Sequence, residues 1–184
     1  MRRLRAVVGT AVFLVLAPGV VAGLVPWWLT GWQGRPSHPW PARVAGLLLA
    51  GAGAAVLLGA FAQFTVEGGG TPAPVAPTER LVAGGLYRFV RNPMYLAVLA
   101  VIAGQALWLS RPVLLAYAVA VTGACVAFVH GYEQPTLSRR YGEQYQAYLR
   151  DVPGWWPRRP RPGEPARGRK RRRPGSSAAQ ADRG

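Results

Sequence analysis

Four long apolar blocks, separated by short polar segments, constrain the fold of this chain more than any other feature. Residues 6–26 and 44–64 each contain a single polar side chain, and residues 94–109 and 112–129 form two shorter apolar blocks. A helix needs roughly 20 apolar residues, within a range of about 17–25, to cross a bilayer. Flanking Tyr, Trp and Arg side chains extend shorter blocks to the interface. The sequence therefore predicts an all-α integral membrane protein with about four transmembrane helices.

The composition agrees with this prediction once the C-terminal tail is set apart. Hydrophobic residues make up 51% of the 184 residues, yet the mean hydropathy is only +0.13. Residues 158–184 carry ten Arg or Lys and two acidic residues, and they are rich in Pro, Gly and Ala. We expect this basic tail to be disordered and attracted to anionic lipid headgroups. Nucleic acid is the other ligand of a basic run, but we expect none for a membrane-anchored chain without a recognition motif.

The placement of arginine predicts the orientation. The N-terminal flank, the loop before the third block and the segment after the fourth block each carry three arginines before the tail begins. The loop between the first and second blocks carries two arginines, and the loop between the third and fourth blocks carries one. The positive-inside rule therefore places both termini in the cytoplasm, together with the loop that joins the second and third blocks.

Two polar stretches flank the hairpin formed by the third and fourth blocks. They comprise residues 84–95 and residues 132–157. Because a hairpin that crosses a bilayer twice returns the chain to its starting side, both stretches lie on the cytoplasmic face. Ionisable residues held at a membrane surface most often serve a binding site. We therefore expect the two stretches to form two halves of one site.

Several local patterns predict how these parts are built. Pro18 should kink the first span, and a stripe of small residues on the second span either lets another helix approach or reflects the general use of Gly and Ala. Residues 78–82 suit a short interfacial helix. Pro135 should begin a cytoplasmic interfacial helix that covers the hairpin. The stripe consists of Gly51, Ala55 and Gly59, and the apolar face of the covering helix consists of Leu137, Tyr141, Tyr145, Tyr148 and Leu149.

Residues 78–157 resemble the isoprenylcysteine carboxyl methyltransferase family, together with the related phospholipid N-methyltransferases. The order of the motifs, with a two-span hairpin between them, makes the resemblance fairly specific. The matching residues of the first stretch are Gly85, Tyr87, Arg91, Pro93 and Tyr95. Those of the second are Glu133, Leu137, Gly142, Tyr145, Tyr148, Val152, Pro153 and Pro157. The resemblance implies a division into a transmembrane hairpin at 1–66, a methyltransferase-like region at 67–157 and the tail at 158–184.

The resemblance also implies S-adenosylmethionine as the methyl donor and a lipophilic acceptor in the bilayer, of lipid or prenyl type. In-line methyl transfer needs positioning and desolvation more than acid–base groups, so a site poor in His and Cys is suitable and no metal is required. Tyr faces stabilise cations, and charged side chains pair with a zwitterionic ligand. The expected cofactor-binding residues are Tyr87, Arg91, Asn92, Pro93, Tyr95, Tyr132, Glu133 and Gln134; the expected catalytic residues are Arg91, Asn92 and Glu133.

Three departures from the family pattern keep other functions open. Asn92 stands where His is usual, Ala97 where Gly is usual, and Gln134 where a second Glu is usual. Asn cannot act as a base near neutral pH, and Gln lacks the charge of Glu. The alternatives are an NADPH-dependent membrane reductase of similar architecture and a four-span membrane protein without catalysis.

Overall fold

The computed structural model describes residues 12–35, 37, 39–67 and 81–159. In these ranges the chain is helical apart from turns and connecting segments, and it forms no strand. The basic tail from residue 160 onward and residues 6–11 of the first predicted span lie outside them. The helices are α1 (Val12–Thr30), α2 (Trp40–Glu67), α3 (Pro93–Leu109), α4 (Pro112–Phe128), α5 (Gln134–Tyr141) and α6 (Glu143–Asp151).

The helices confirm the predicted all-α membrane fold. In the described part of the chain three continuous helices are long and apolar enough to cross a bilayer: α1, α2 and the 30-residue run Pro112–Tyr141 that contains α4 and α5. The shorter apolar helix α3 has 17 residues, about 25 Å at 1.5 Å per residue. That length approaches the hydrocarbon thickness of about 30 Å. The chain is therefore an integral membrane protein built around one helical bundle.

Close contact between α2 and α3 forms the centre of the bundle. A Cβ atom at Gly46 would lie 2.7 Å from the carbonyl oxygen of Gly104, and one at Gly53 would lie 2.8 Å from that of Ala97. The backbones approach so closely that only glycine fits. The predicted small-residue stripe lies elsewhere on α2, because its members are exposed and a Cβ at Gly51 would meet nothing within 4 Å. Small residues occur all around α2, so their spacing did not identify the packed face.

The first span is π-helical around Pro18, where a kink was predicted. Residues Val15–Leu24 are π-helical and contain this proline. Proline has no N–H to donate, and its ring clashes with the carbonyl one turn earlier. A wider π-helical stretch is a common response where the α-helical ladder is interrupted.

Side chains from two other spans bond carbonyls of α1. Gln105 Nε2 on α3 donates to the carbonyl of Ala22 at 2.7 Å, and the Tyr117 hydroxyl on α4 donates to that of Val21 at 2.9 Å. Pro26, one turn later, has no N–H with which to bond these carbonyls. Because an unpaired backbone group in lipid costs several kcal/mol, the two side chains stabilise α1 against α3 and α4.

The loop between α1 and α2 is fastened to the turn between α3 and α4. The N–H of Arg35 donates to the carbonyl of Leu109 at 2.9 Å, and Arg111 Nε donates to the carbonyl of Gln33 at 2.9 Å. These contacts define one end of the bundle, which we call the loop end. The two polar stretches lie at the other end, which we call the motif end.

The loop before α3 differs from its prediction. Residues 78–80 of the predicted interfacial helix lie outside the described residues, and Leu81 and Val82 are not helical. A short 3₁₀ helix forms instead at Gly85–Arg88. Gly85 has φ +45°, and the N–H of the following residue, Leu86, donates to Gln63 Oε1 on α2 at 3.2 Å. A Cβ at Gly85 would overlap the Gln63 side chain, so glycine allows both the turn and this contact.

The predicted covering helix is two helices. A π-helical turn at Val129–Glu133 joins α4 to α5, so the chain stays helical through Pro135 rather than starting a new helix there. The break comes at Gly142, where φ is 52° and ψ is −127°. Side chains with a Cβ rarely adopt this conformation. The chain turns at this glycine, and α6 rather than one long helix supplies the cover.

Candidate functional site

The two polar stretches meet in a hydrogen bond between side chains. The Tyr95 hydroxyl donates to Glu133 Oε2 at 2.8 Å. Tyr95 lies in the first turn of α3, and Glu133 ends the π-helical turn that follows α4. Both side chains are half-buried. The hairpin therefore brings together residues 38 positions apart at the motif end.

A third segment, residues 152–158, lies along the first stretch. Three main-chain hydrogen bonds join them: Arg91 N–H to Pro153 at 2.9 Å, Asn92 N–H to Gly154 at 3.3 Å, and Arg158 N–H to Phe89 at 3.0 Å. We call residues 152–158 the closing segment. Because these bonds involve only backbone, they hold the two segments in register while leaving the side chains available for other contacts.

The guanidinium of Arg91 packs over the closing segment. A Cβ at Gly154 would lie 3.1 Å from Arg91 Nη2 and 3.8 Å from Asn92 Nδ2, so the absence of a side chain at this position makes room for both groups. Arg91 Nε is buried and has no hydrogen-bond partner among the described residues. A buried donor without a partner carries a desolvation cost that a ligand can relieve. The guanidinium fits a carboxylate, which accepts its N–H groups in pairs.

Asn92 and Pro93 set the start of α3. Asn92 is 6% exposed, and its carbonyl accepts a hydrogen bond from the N–H of Leu96 at 3.2 Å. Pro93 is buried at the first helical position, where its missing N–H costs nothing. These two predicted site residues therefore fix where Arg91 and Tyr95 stand relative to each other.

Tyrosines from α6 cover this arrangement. The Tyr148 hydroxyl donates to the carbonyl of Tyr87 at 2.7 Å, and Tyr87 itself is buried. Tyr145 is 3% exposed, and its ring centroid lies 6.2 Å from that of Tyr148. Burial raises the pKa of the Tyr148 hydroxyl well above its usual value, and the positive charge of Arg91 opposes the rise. The hydroxyl therefore keeps its proton at neutral pH and acts as a donor.

Two predicted cofactor-binding residues lie apart from this cluster. Tyr132 is 47% exposed, and its ring contacts that of Phe128, one turn earlier, with centroids 5.2 Å apart. Gln134 is half-buried at the start of α5. Among the contacts of the described residues, neither side chain joins the Tyr95–Glu133 pair.

Trp155 belongs to the cluster, although the sequence did not single it out. Its ring centroid lies 6.3 Å from that of Tyr95, and the side chain is half-buried. The neighbouring Trp156 is 84% exposed. The family pattern includes the prolines around this pair, but nothing in the pattern distinguishes the tryptophan that packs inward from the one that faces outward. In the structure, contact with Tyr95 identifies Trp155 as the tryptophan that packs inward.

The motif end thus combines three kinds of group that suit a cation with a carboxylate. Glu133 supplies negative charge, the rings of Tyr95 and Trp155 supply π faces that attract cations, and Arg91 supplies positive charge. A half-buried carboxylate and a guanidinium with a buried Nε at one end of the bundle favour a ligand that offers each of them a partner of opposite charge.

Comparison with known proteins shows the family of the chain. Residues 41–144 match the family model described as phospholipid methyltransferase, more than half of the 184 residues. No curated protein and no solved structure gives a match. The matched region begins in α2, ahead of the motif resemblance and across the predicted boundary at residue 67. It thus includes the helix whose Gln63 bonds the 3₁₀ segment and whose glycines pack against α3.

Proposed function

The chain belongs to the phospholipid methyltransferase family, as the motif resemblance predicted, and from this premise we propose that it uses S-adenosylmethionine to methylate a lipophilic acceptor in the bilayer. Membership makes it a membrane methyltransferase. The cofactor, the acceptor and the residues that bind them are our proposal.

The Tyr95–Glu133 hydrogen bond carries this proposal. It joins the two halves of the motif at the end of the bundle where Arg91 keeps a buried donor without a partner. If this hydrogen bond had only a structural role, the buried donor of Arg91 without a partner would have no explanation. A zwitterionic ligand placed between the two halves would give both Arg91 and Glu133 a partner of opposite charge.

Each residue has a distinct task in this site. Arg91 pairs with the carboxylate of S-adenosylmethionine, and Glu133 accepts hydrogen bonds from its ammonium group or ribose hydroxyls. The rings of Tyr95 and Trp155 stabilise its positive charge. When bound, the cofactor supplies an electrophilic methyl group on a sulfonium.

The remaining residues position the charged groups and enclose the site. Asn92 and Pro93 set the start of α3, while Tyr87, Tyr145 and Tyr148 exclude water from above Arg91. Exclusion of water strengthens each charge interaction in the site, and fixed positions lower the entropic cost of in-line transfer. Asn92 therefore acts in catalysis as a positioning residue rather than as a base.

The acceptor is lipid-embedded, because the site opens at the end of a bundle whose helices lie in the membrane. Both a prenyl-type carboxylate, methylated on oxygen, and an amine lipid, methylated on nitrogen, suit this location. We place the site and both termini in the cytoplasm, where S-adenosylmethionine is made, and the basic tail beside anionic headgroups.

Calorimetric titration of detergent-purified protein with S-adenosylmethionine tests the proposal. We expect Glu133→Ala to weaken binding by about ten- to a hundredfold, because one charge-assisted hydrogen bond contributes on the order of 1.5–3 kcal/mol. Glu143→Ala is the matched control, since Glu143 is exposed at the start of α6 and should leave binding unchanged.

NADPH serves as the second titrant, because it separates this proposal from a reductase. We expect no binding of NADPH by wild type. Tight binding of NADPH without binding of S-adenosylmethionine would overturn the proposed function, and so would equal cofactor binding by wild type and Glu133→Ala.

A further inference from the structure

A glutamine outside both polar stretches bonds the segment that leads into Arg91. Gln63 is the single polar side chain of the apolar block at 44–64 and lies near the motif end of α2. It is half-buried, and its Oε1 accepts the N–H of Leu86 at 3.2 Å. A polar side chain in a membrane span is costly unless its groups are bonded. The bond to Leu86 satisfies that requirement and ties the polar loop to the span.

Backbone hydrogen bonds continue from this contact to Arg91. The carbonyl of Leu86 accepts the N–H of Val90 at 3.4 Å, and Val90 directly precedes Arg91. The N–H of Arg91 then donates to the closing segment at 2.9 Å. The chain from Leu86 to Arg91 is therefore held at its start by Gln63 and at its end by the closing segment. Loss of the first attachment would leave Arg91 held from one side.

The side chain of Gln63 is closely fitted to the turn that it holds. A Cβ at Gly85 would overlap the carbon, oxygen and nitrogen of the Gln63 amide at nearly equal distances, so the amide lies with its face on this glycine. The helix that carries Gln63 packs backbone against backbone on α3 through Gly46 and Gly53. Groups supported by rigid elements are held more precisely than groups supported by loops. Gln63 thus attaches a loop segment to the closely packed centre of the bundle.

We infer that Gln63 is a positioning residue for methyl transfer, which sets the place of the Arg91 guanidinium through the chain from Leu86 to Arg91. Gln63 acts through Arg91 and does not itself bind the cofactor. Because a guanidinium pairs with a carboxylate only in a defined geometry, a small displacement of Arg91 weakens that pair. The role in methyl transfer rests on the proposed function, whereas the link between Gln63 and Arg91 belongs to the unliganded protein.

Hydrogen exchange of the unliganded full chain in detergent tests the link. Gln63→Met removes the acceptor at similar length, so we expect the amides from Leu86 to Asn92 to exchange about three- to tenfold faster than in wild type. Gln63→Glu keeps an acceptor oxygen and should stay close to wild type. Gln63→Asn, which shortens the side chain by one methylene, gives the same test if the methionine variant does not fold. Faster exchange at Leu86 with unchanged exchange at Arg91 and Asn92 would overturn the inference.

Calorimetry with S-adenosylmethionine and its decarboxylated form tests whether the link positions Arg91 for the carboxylate. We expect Gln63→Met to lower the preference for the carboxylated form by about three- to tenfold, while Gln63→Glu keeps it. Gln105→Met is the matched control, because the Gln105 amide bonds Ala22 of α1. This control should lower the thermal stability and leave the preference unchanged. An equal loss of preference in the two methionine variants would overturn the positioning role.

The two measurements together separate this inference from the proposed function. Wild type that shows the expected exchange pattern but binds no S-adenosylmethionine would overturn the cofactor assignment and uphold the link between Gln63 and Arg91. Wild type that prefers the carboxylated form, with the same preference in Gln63→Met, would uphold the proposed function and overturn the role of Gln63.

Discussion

Two arginines flank α3, and their surroundings differ. Arg111, at the loop end, donates its Nε N–H to the carbonyl of Gln33, so the fold uses that donor. Arg91, at the motif end, has a buried Nε without a partner among the described residues, although its backbone N–H bonds Pro153. The same residue type thus fastens a loop at one end and holds an unused donor at the other. The partner of each donor, rather than the residue type, therefore separates a structural arginine from one suited to a ligand.

The loop end and the motif end differ in the same way as these two arginines. At the loop end, the contacts that hold the connection together are made to backbone carbonyls. At the motif end, backbone bonds hold the closing segment while Glu133, Tyr95 and Trp155 converge with their side chains. Backbone contacts depend little on sequence, whereas convergent side chains require particular residues. This difference supports our proposal that the motif end carries the function.

The predicted orientation requires the loop end and the motif end to lie on opposite sides of the membrane. Reporter fusions at Ser37, in the loop between α1 and α2, and at Ser176, in the tail, should report opposite sides, with the tail in the cytoplasm. This is an all-or-none outcome. Reporters on the same side would place the loop end and the tail together and would contradict the predicted orientation.

Arg91→Ala should have an effect on cofactor binding as large as that of Glu133→Ala. We expect S-adenosylmethionine binding to weaken by about ten- to a hundredfold, since a charge-assisted hydrogen bond is lost. Calorimetry measures this effect. Arg150→Ala is the control, because Arg150 is exposed on α6. Similar losses in both variants would mean that general positive charge, and not Arg91, attracts the cofactor.

Arg111→Ala should lower the stability of the protein without changing its cofactor affinity. The bond to Gln33 is exposed, so its loss should lower the free energy of unfolding by no more than roughly 0.5–1.5 kcal/mol. Cofactor affinity should stay the same, because the bond lies at the loop end. Thermal unfolding and calorimetry on one preparation measure both quantities. A cofactor defect with unchanged stability would contradict the assignment of Arg111 to structure.

A matched pair of glycine substitutions should give the smallest effect. Gly154→Ala places a Cβ 3.1 Å from Arg91 Nη2, and the guanidinium must shift by a few tenths of an ångström. We expect roughly two- to fivefold weaker cofactor binding, under about 1 kcal/mol. Gly34→Ala, at the loop end, meets Leu109 only at ordinary contact distance, 3.9 Å. Equal affinities in the two variants would show that Arg91 tolerates displacement.

The membrane helices were predictable from the sequence because apolar length is a local property. The blocks at 44–64 and 94–109 lie within α2 and α3, and the block at 112–129 lies within the continuous helical run Pro112–Tyr141. That Pro18 interrupts the α-helical hydrogen bonding of the first span was predictable for the same reason, since a missing N–H is a property of one residue. The order of the motifs also sufficed to identify the family that the comparison shows.

The packed faces and the detailed cluster were not predictable, because they depend on contacts between distant residues. The small-residue stripe was assigned to Gly51, whereas Gly46 and Gly53 make the contact with α3. Gly142 breaks the covering helix, although the periodicity of apolar residues continues across it. Trp155 and Trp156 are adjacent and identical, so only the fold selects the one that packs on Tyr95.

Titration of wild type and Arg91→Ala with two ligands measures whether Arg91 pairs with the cofactor carboxylate. S-adenosylmethionine and its decarboxylated form differ only in that group, and calorimetry gives both affinities. The account predicts that wild type prefers the carboxylated form by about ten- to a hundredfold, the value of one charge-assisted pair. It also predicts that Arg91→Ala loses this preference. An equal preference in wild type and Arg91→Ala would contradict the account.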